Sequence, residues 1–193
     1  MNMTRISQVD PAQATSRIKQ LLHRVRGKLG LVPNLFRVLG EAPAALEGYL
    51  RFSEALAGGS FDARVREQIS LAVAESNLCS YCLSTHTFIG RKVGLTGKEI
   101  ADARHATAAI GEIDAILKLA RSIVVQRGEI SDADLEAARA AGLTDSAIVE
   151  TVANVALNIF TNYVSHVART AVDFPEVKPG SGETERANMA APA

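Results

Sequence analysis

Every apolar stretch of this chain is punctuated as a helix, and none alternates with the two-residue period of a strand. Asp10-Pro11 sets an N-cap before a proline at the first helical position, which predicts a helix from there to about Lys28. Gly30, Pro33 and Asn34 make a turn before a short apolar run, Leu35 to Leu39. Pro43 opens a helix that Gly58-Gly59 closes, and Asp62 begins another that runs to about Ser76. The next spans about Cys79 to Val93 with Gly94 as its C-cap, and Thr96-Gly97-Lys98-Glu99 fits a capping box. Ile113, Ile116, Leu117, Ala120, Ile123 and Val124 share one face of a helix ending near Gly128. Ser131 and Thr144 cap two more, the last reaching from about Ser146 to Val172. Composition agrees: 47% of residues are hydrophobic but only 5% aromatic, with no Trp, a palette that suits packed helices. The expected fold is an all-α, single-domain helical bundle over residues 10–178, between a flexible N-terminus (1–9) and a flexible tail (179–193) rich in Pro, Gly, Ser and charge.

Charge removes several classes of partner. Lys+Arg and Asp+Glu each total 21, so there is no electrostatic footprint for nucleic acid or an anionic membrane. No apolar run approaches the roughly 18 residues of a membrane span. Met1 to Arg17 has no signal-like apolar core, so the chain is expected in the cytoplasm. Neither GxGxxG nor GxxxxGK occurs, and no flavin, haem or nucleotide cofactor is expected.

Two helices stand apart. Ile69 to Ala74 is apolar on nearly every side, which assigns that helix to the interior. The last helix carries a polar stripe at intervals of four, Asn154, Asn158, Asn162 and His166. It reads either as a solvated face or as a subunit contact or pocket wall.

The chemistry concentrates around Cys79-Ser80-Tyr81-Cys82, with His86 four residues further on. On a helix these three side chains share a face. Thiolates at a helix start are stabilised by free N–H groups and the positive dipole end. Regular helical geometry leaves residues at i and i+3 about 5–6 Å apart at Cβ, against about 3.8 Å in a disulfide. A bridge there needs local adjustment. Its loop-entropy contribution is only about 2 kcal/mol, which suits a reversible redox couple better than a staple.

Folding the preceding helix back with its turn near Asn77 brings Glu67 level with His86, because both lie a similar number of residues from the turn. Glu67 would then orient and charge-assist His86 beside Cys82, the logic of a base held next to a thiol. Glu67 shares a stripe with Leu71, Ala74 and Leu78, and partial desolvation there would raise its pKa toward proton transfer. Glu75, nearer the turn, is an alternative to Glu67 or an addition to it. Two bland readings stand beside this one: cysteines as small buried hydrophobes, and a zinc site, for which CxxCxxxH supplies only three ligands. No metal is expected. His23 and His105 belong to no constellation and are expected on the surface.

The spacing Glu67, eleven residues, Cys79-x-x-Cys82, three residues, His86 resembles the signature of the alkylhydroperoxidase D-like proteins of the carboxymuconolactone decarboxylase superfamily. The resemblance extends to Gly30-Leu31-Val32-Pro33-Asn34-Leu35-Phe36, to the helix from Asn158 to His166 and to Asp173-Phe174-Pro175, covers about residues 10–178, and is strongest to the peroxidase-related branch. It implies an all-helical fold and a homo-oligomer, trimer or hexamer. By the same resemblance Cys82 is the thiol that peroxide oxidises to a sulfenic acid. Cys79 is then the proton donor and resolving thiol, with Glu67 and His86 as the proton relay. Geometry alone does not choose Cys82 over Cys79; position at the helix end favours Cys79 as the more acidic thiol. Tyr81 departs from the pattern, standing where the best-known relatives place a His, and this puts their lipoyl-linked reductant in question here. The decarboxylase branch generally lacks the cysteine pair, which argues against lactone decarboxylation.

These observations lead to the expectation of a thiol-dependent peroxidase that reduces organic or hydrogen peroxide and is returned to the dithiol by an external dithiol reductant. The alternatives are a thiol–disulfide oxidoreductase that never meets peroxide, and a non-redox oligomeric binding protein or lactone decarboxylase relative.

Overall fold

The stretch that leaves no polar face in the sequence lies at the centre of the molecule. The computed structural model describes residues 4–180. Among these it forms α1 (Ser16–Leu29), α2 (Asn34–Leu39), α3 (Pro43–Ala57), α4 (Ala63–Ser76), α5 (Ser80–Lys92), α6 (Gly97–Arg104), α7 (Gly111–Val125), α8 (Asp132–Ala140) and α9 (Asp145–Ala168), with no strand. α4 is buried continuously from Gln68 to Ala74 and packs against α5, α6, α7 and α9. The all-α expectation holds. Among the described residues no helix is long and apolar enough to cross a membrane.

The caps read from sequence act at most of their positions. Asp62 accepts from Val65 N, Thr96 and Glu99 form a reciprocal capping box, and Ser131 and Thr144 each accept from the backbone N–H three residues on. Two boundaries differ. Asp10 caps a single turn, its Oδ1 accepting from Ala12 N at 2.9 Å, and α1 begins only at Ser16. Pro11 to Gln20 contain no buried residue, whereas Leu21, Leu22 and Val25 have a core to enter. Meanwhile Val9 is tied to Arg37 by Val9 N→Arg37 O at 3.0 Å and Arg37 Nε→Val9 O at 3.1 Å, which fixes the approach to that turn.

α9 stops at Ala168 rather than Val172, because the residues beyond it serve α2. Asn34 donates from its backbone N to Asp173 Oδ2 at 2.6 Å and from Nδ2 to Ala171 O at 3.1 Å. Of the expected flexible segments, residues 5 and 9 hydrogen-bond to Ala168 O and Arg37 O, while residues 181–193 of the tail lie outside the described residues.

The polar stripe of α9 does not form a solvated face. Asn154, Asn158 and Asn162 are buried: Asn154 donates to Glu150 O, Asn158 donates to Asn154 O, and Asn162 Oδ1 accepts from Asn77 Nδ2 at 2.9 Å, while Asn162 Nδ2 is buried without a partner among the described residues. His166 stays exposed and donates from Nε2 to Asn77 O at 2.9 Å. Asn77 caps α4. Asn162 and His166 therefore hold the α4–α5 turn just before Cys79, while Val149, Val152, Phe160, Tyr163 and Val167 of the same helix are exposed.

At its other end, α9 holds the α3–α4 connection through Glu150, whose carboxylate accepts from Ser60 N (3.0 Å), Ser60 Oγ (2.6 Å) and Phe61 N (3.0 Å). Burial pushes this carboxyl upward, but those donors and nearby Arg66 outweigh it and hold the group below its ordinary value of 4.5. A depressed carboxyl stabilises the fold above its ordinary value and loses that contribution as pH falls through the depressed one. Urea unfolding of Glu150→Ala is therefore expected to show a loss of about 1–2 kcal/mol at neutral pH. The gap from the parent protein should narrow in acid below pH 4.5.

Candidate active site

α4 and α5 form an antiparallel hairpin, and it brings Glu67 and His86 together. His86 Nδ1 donates to Glu67 Oε2 at 2.8 Å, with both side chains 17% exposed. Committing Nδ1 to the carboxylate leaves Nε2 as the ring nitrogen available to the adjoining cavity.

Cys79 stands outside the helix as its N-cap, with φ −91° and ψ 93°, and its Sγ accepts from Cys82 N at 3.2 Å. Leaving the helical conformation is the local adjustment a CxxC bridge needs. The two cysteines are joined in a disulfide with Cα atoms 5.3 Å apart, and both are almost fully buried. The preceding turn is unusual, since Leu78 adopts the left-handed conformation at φ 54°, a position few bulky residues occupy.

Cys82, Glu67 and His86 open into one cavity of about 180 Å³, walled largely by apolar groups such as Leu35, Phe36, Leu50 and Ile89, with the exposed Lys28 among its lining residues. Tyr49, Ser53 and Tyr81 supply polar atoms. Burial, followed by the negative charge of Glu67, pushes the Tyr49 hydroxyl up to about 12, with the Ser53 hydrogen bond offsetting part of this. Tyr49 thus remains a proton-bearing donor at neutral pH. The sequence reading did not single out Tyr49 or Ser53. Their only signal was a pair of hydroxyl residues four apart beside Leu46 and Leu50, the buried face of α3.

Glu75 does not join this group. It is committed to the buried Arg104, which donates from Nε to Glu75 Oε2 at 2.8 Å, and it also accepts from Gly180 N at 2.6 Å. His23 is exposed as expected, but His105 is half-buried with Nε2 enclosed and unpartnered among the described residues. As the C-cap residue of α6, His105 is drawn inward with its neighbours Arg104 and Ala106, which are both buried.

Tyr81 connects distant stretches of sequence. Its hydroxyl accepts from Leu35 N at 3.1 Å and its ring meets Phe174 edge-on at a 6.5 Å centroid distance. Burial, the Leu35 bond and the neighbouring Asp173 act on the hydroxyl, and burial dominates, driving its pKa well above the ordinary value.

Residues 43–125, which carry Glu67, both cysteines and His86, match the Carboxymuconolactone decarboxylase family. Among solved structures the chain is similar to an alkylhydroperoxidase AhpD core, an uncharacterized peroxidase-related protein from Ralstonia eutropha JMP134. The TM-score is 0.79 at 25% identity, covering 90% of this chain and 94% of the other. An uncharacterized peroxidase-related protein from Silicibacter sp. TM1040 gives 0.75 at 20% identity, covering 89% and 94%. The debrominase Bmp8, in a Cys-to-Ala form bound to 2,3,4-tribromopyrrole, gives 0.77 at 14% identity, covering 94% and 97%, and shares the fold. No curated protein matches the sequence.

Replacing Tyr81 by Phe removes the acceptor of a buried amide, Leu35 N–H. Chemical denaturation of Tyr81→Phe is expected to show a loss of about 1–3 kcal/mol.

Proposed function

We propose that this chain is a carboxymuconolactone decarboxylase superfamily protein and, within that superfamily, a thiol-dependent peroxidase cycling between the Cys79/Cys82 dithiol and disulfide. The observation that carries the reading is that the Glu67–His86 pair and Cys82 line the same small cavity. Catalysis starts from the reduced pair. The Cys82 thiolate attacks the distal peroxide oxygen, the O–O bond breaks, and the alcohol or water leaves with a proton delivered through His86. Cys82 is left as a sulfenic acid. Cys79 then attacks the Cys82 sulfur, forming the disulfide and expelling hydroxide, which the same relay protonates. The net change is ROOH plus two thiols giving ROH, water and one disulfide. Glu67 fixes the imidazole tautomer and stabilises its protonated form. The largely apolar walls favour an organic hydroperoxide over a strongly hydrated substrate. On this reading the protein works in the cytoplasm and an external thiol reductant restores the pair.

We also propose a homo-oligomer, trimer or hexamer, assembled through α9. Val149, Val152, Phe160, Tyr163 and Val167 are exposed along α9. Phe160 continues into a groove with Phe52 and Tyr49 of α3. Such a face on a soluble chain is an association surface, and a second copy matches it in chemistry because the patch carries no charge. Sedimentation is expected to show a trimer or a multiple of it, and Val152→Glu with Phe160→Glu is expected to dissociate it; a monomeric parent protein would remove this proposal.

The relay is tested by stopped-flow loss of thiols after mixing reduced protein with cumene hydroperoxide. Glu67→Gln is expected to slow the reaction by about 10²–10⁴-fold. Cys79→Ser is expected to stop at a sulfenic acid that dimedone captures, whereas Cys82→Ser should yield none. A Glu67→Gln protein that reacts at the parent rate overturns the relay.

A further inference from the structure

The two cysteines of the disulfide line different cavities. Cys82 lines the cavity of Glu67 and His86, whereas Cys79 lines a separate and larger one of about 530 Å³, between the α4–α5 turn and the end of α9. Displacement at a disulfide sulfur requires the incoming thiolate to approach in line, opposite the sulfur that leaves. A thiolate that releases Cys82 must therefore reach Cys79, and the cavity on the Cys79 side is the available approach.

The walls of this second cavity carry unmet bonding capacity. Thr170 is 7% exposed, and its Oγ1 is buried without a hydrogen-bond partner among the described residues. Besides Cys79 and Tyr81, the titratable side chains lining it are His166, Arg169 and Glu176. His166 is already bonded to Asn77 O, and Arg169 is exposed and makes no ion pair among the described residues. Among the described residues four non-glycine residues have left-handed backbone, and two of them, Leu78 (φ 54°) and Arg169 (φ 49°), line this cavity. Residues held in that region concentrate at functional sites. Leu78 is 67% exposed there and offers an apolar rim.

We propose that this second cavity is the reductant site, and that it takes a low-molecular-weight thiol bearing a carboxylate. The carboxylate pairs with Arg169 and accepts from Thr170 Oγ1, and the thiolate attacks Cys79 Sγ. The S–S bond breaks, the reductant becomes disulfide-linked to Cys79, and Cys82 leaves as a thiolate beside His86, already in its peroxide-reactive form. A second reductant thiolate attacks the reductant sulfur of that mixed disulfide. It releases the oxidised reductant as a symmetrical disulfide and Cys79 as a thiolate, so two thiols are oxidised for each protein disulfide reduced. Oxidant and reductant then enter by separate cavities, and reduction need not wait for the alcohol product to leave. The proposal rests on the dithiol cycle above but not on peroxide being the oxidant.

The test starts from full-length protein oxidised with diamide, so that it does not depend on peroxidase activity. Release of protein thiols is followed with 3-mercaptopropionate and with 2-mercaptoethanol, and the ratio of the two rates is compared between parent protein and Arg169→Gly. Glycine accepts the left-handed backbone at this position, so the substitution removes charge without straining the chain. The ratio is expected to fall about tenfold in Arg169→Gly, and an unchanged ratio overturns the proposal. In parallel, parent protein quenched early with 3-mercaptopropionate is digested for mass spectrometry. The adduct is expected on Cys79, and an adduct on Cys82 overturns the assignment of the attacked sulfur. Protein inert to peroxide that still gives the fall in ratio and the Cys79 adduct would end the peroxidase reading and leave this one standing.

Discussion

Burying α4 on every side obliges each polar group it carries to find a partner inside the protein, and that requirement organises the neighbouring helices. Glu67 takes His86 from α5, Glu75 takes Arg104 from α6, and Asn77 at its C-cap takes Asn162 and His166 from α9. Ser70 and Ser76 satisfy themselves on carbonyls one turn back. Half-buried charges left unpaired on such a helix are costly, so the position of α4 and the positions of its partners are one constraint. The site follows from it. The hydrogen-bonding partner that Glu67 takes is an imidazole, and the helix that supplies the imidazole also begins with the cysteines.

The same constraint explains the inverted character of α9. Asn162 and His166 turn toward Asn77 at the α4–α5 turn, and Val149, Val152, Phe160, Tyr163 and Val167 lie on the outside. One helix thus holds the turn before Cys79 rigid and presents an apolar face. On the reading proposed above, assembly and redox chemistry are linked through α9, since its far end also walls the cavity on the Cys79 side.

Much of this was legible in the sequence because it rests on local chemistry. Caps at Asp62, Thr96, Ser131 and Thr144 depend on a side chain and the backbone a few residues on, and they sit where the sequence places them. The Glu67–His86 pairing follows from helical rise about a single turn, and it too is found. What local reasoning missed was decided by distant parts of the chain. Asp10-Pro11 is a good cap with nothing to bury behind it, so it starts only one turn. α9 ends early because Ala171 and Asp173 are claimed by Asn34, far away in sequence. The asparagine stripe read as readily as a solvated face, since polarity alone does not reveal that Asn162 and His166 bond to Asn77. Glu75 lay close enough to Cys79 in sequence to compete with Glu67, but helical phase points it to Arg104. Tyr49 and Ser53 enter the cavity from α3, which no spacing rule connects to the cysteine pair.

The central claim is that Cys79 and Cys82 form a couple that peroxide itself oxidises. The most direct measurement counts free thiols in fully reduced protein before and after an equimolar addition of cumene hydroperoxide, and again after dithiothreitol. The account predicts that both thiols disappear with the peroxide and that both return with the reductant. Thiols that survive even a modest excess of peroxide would contradict it.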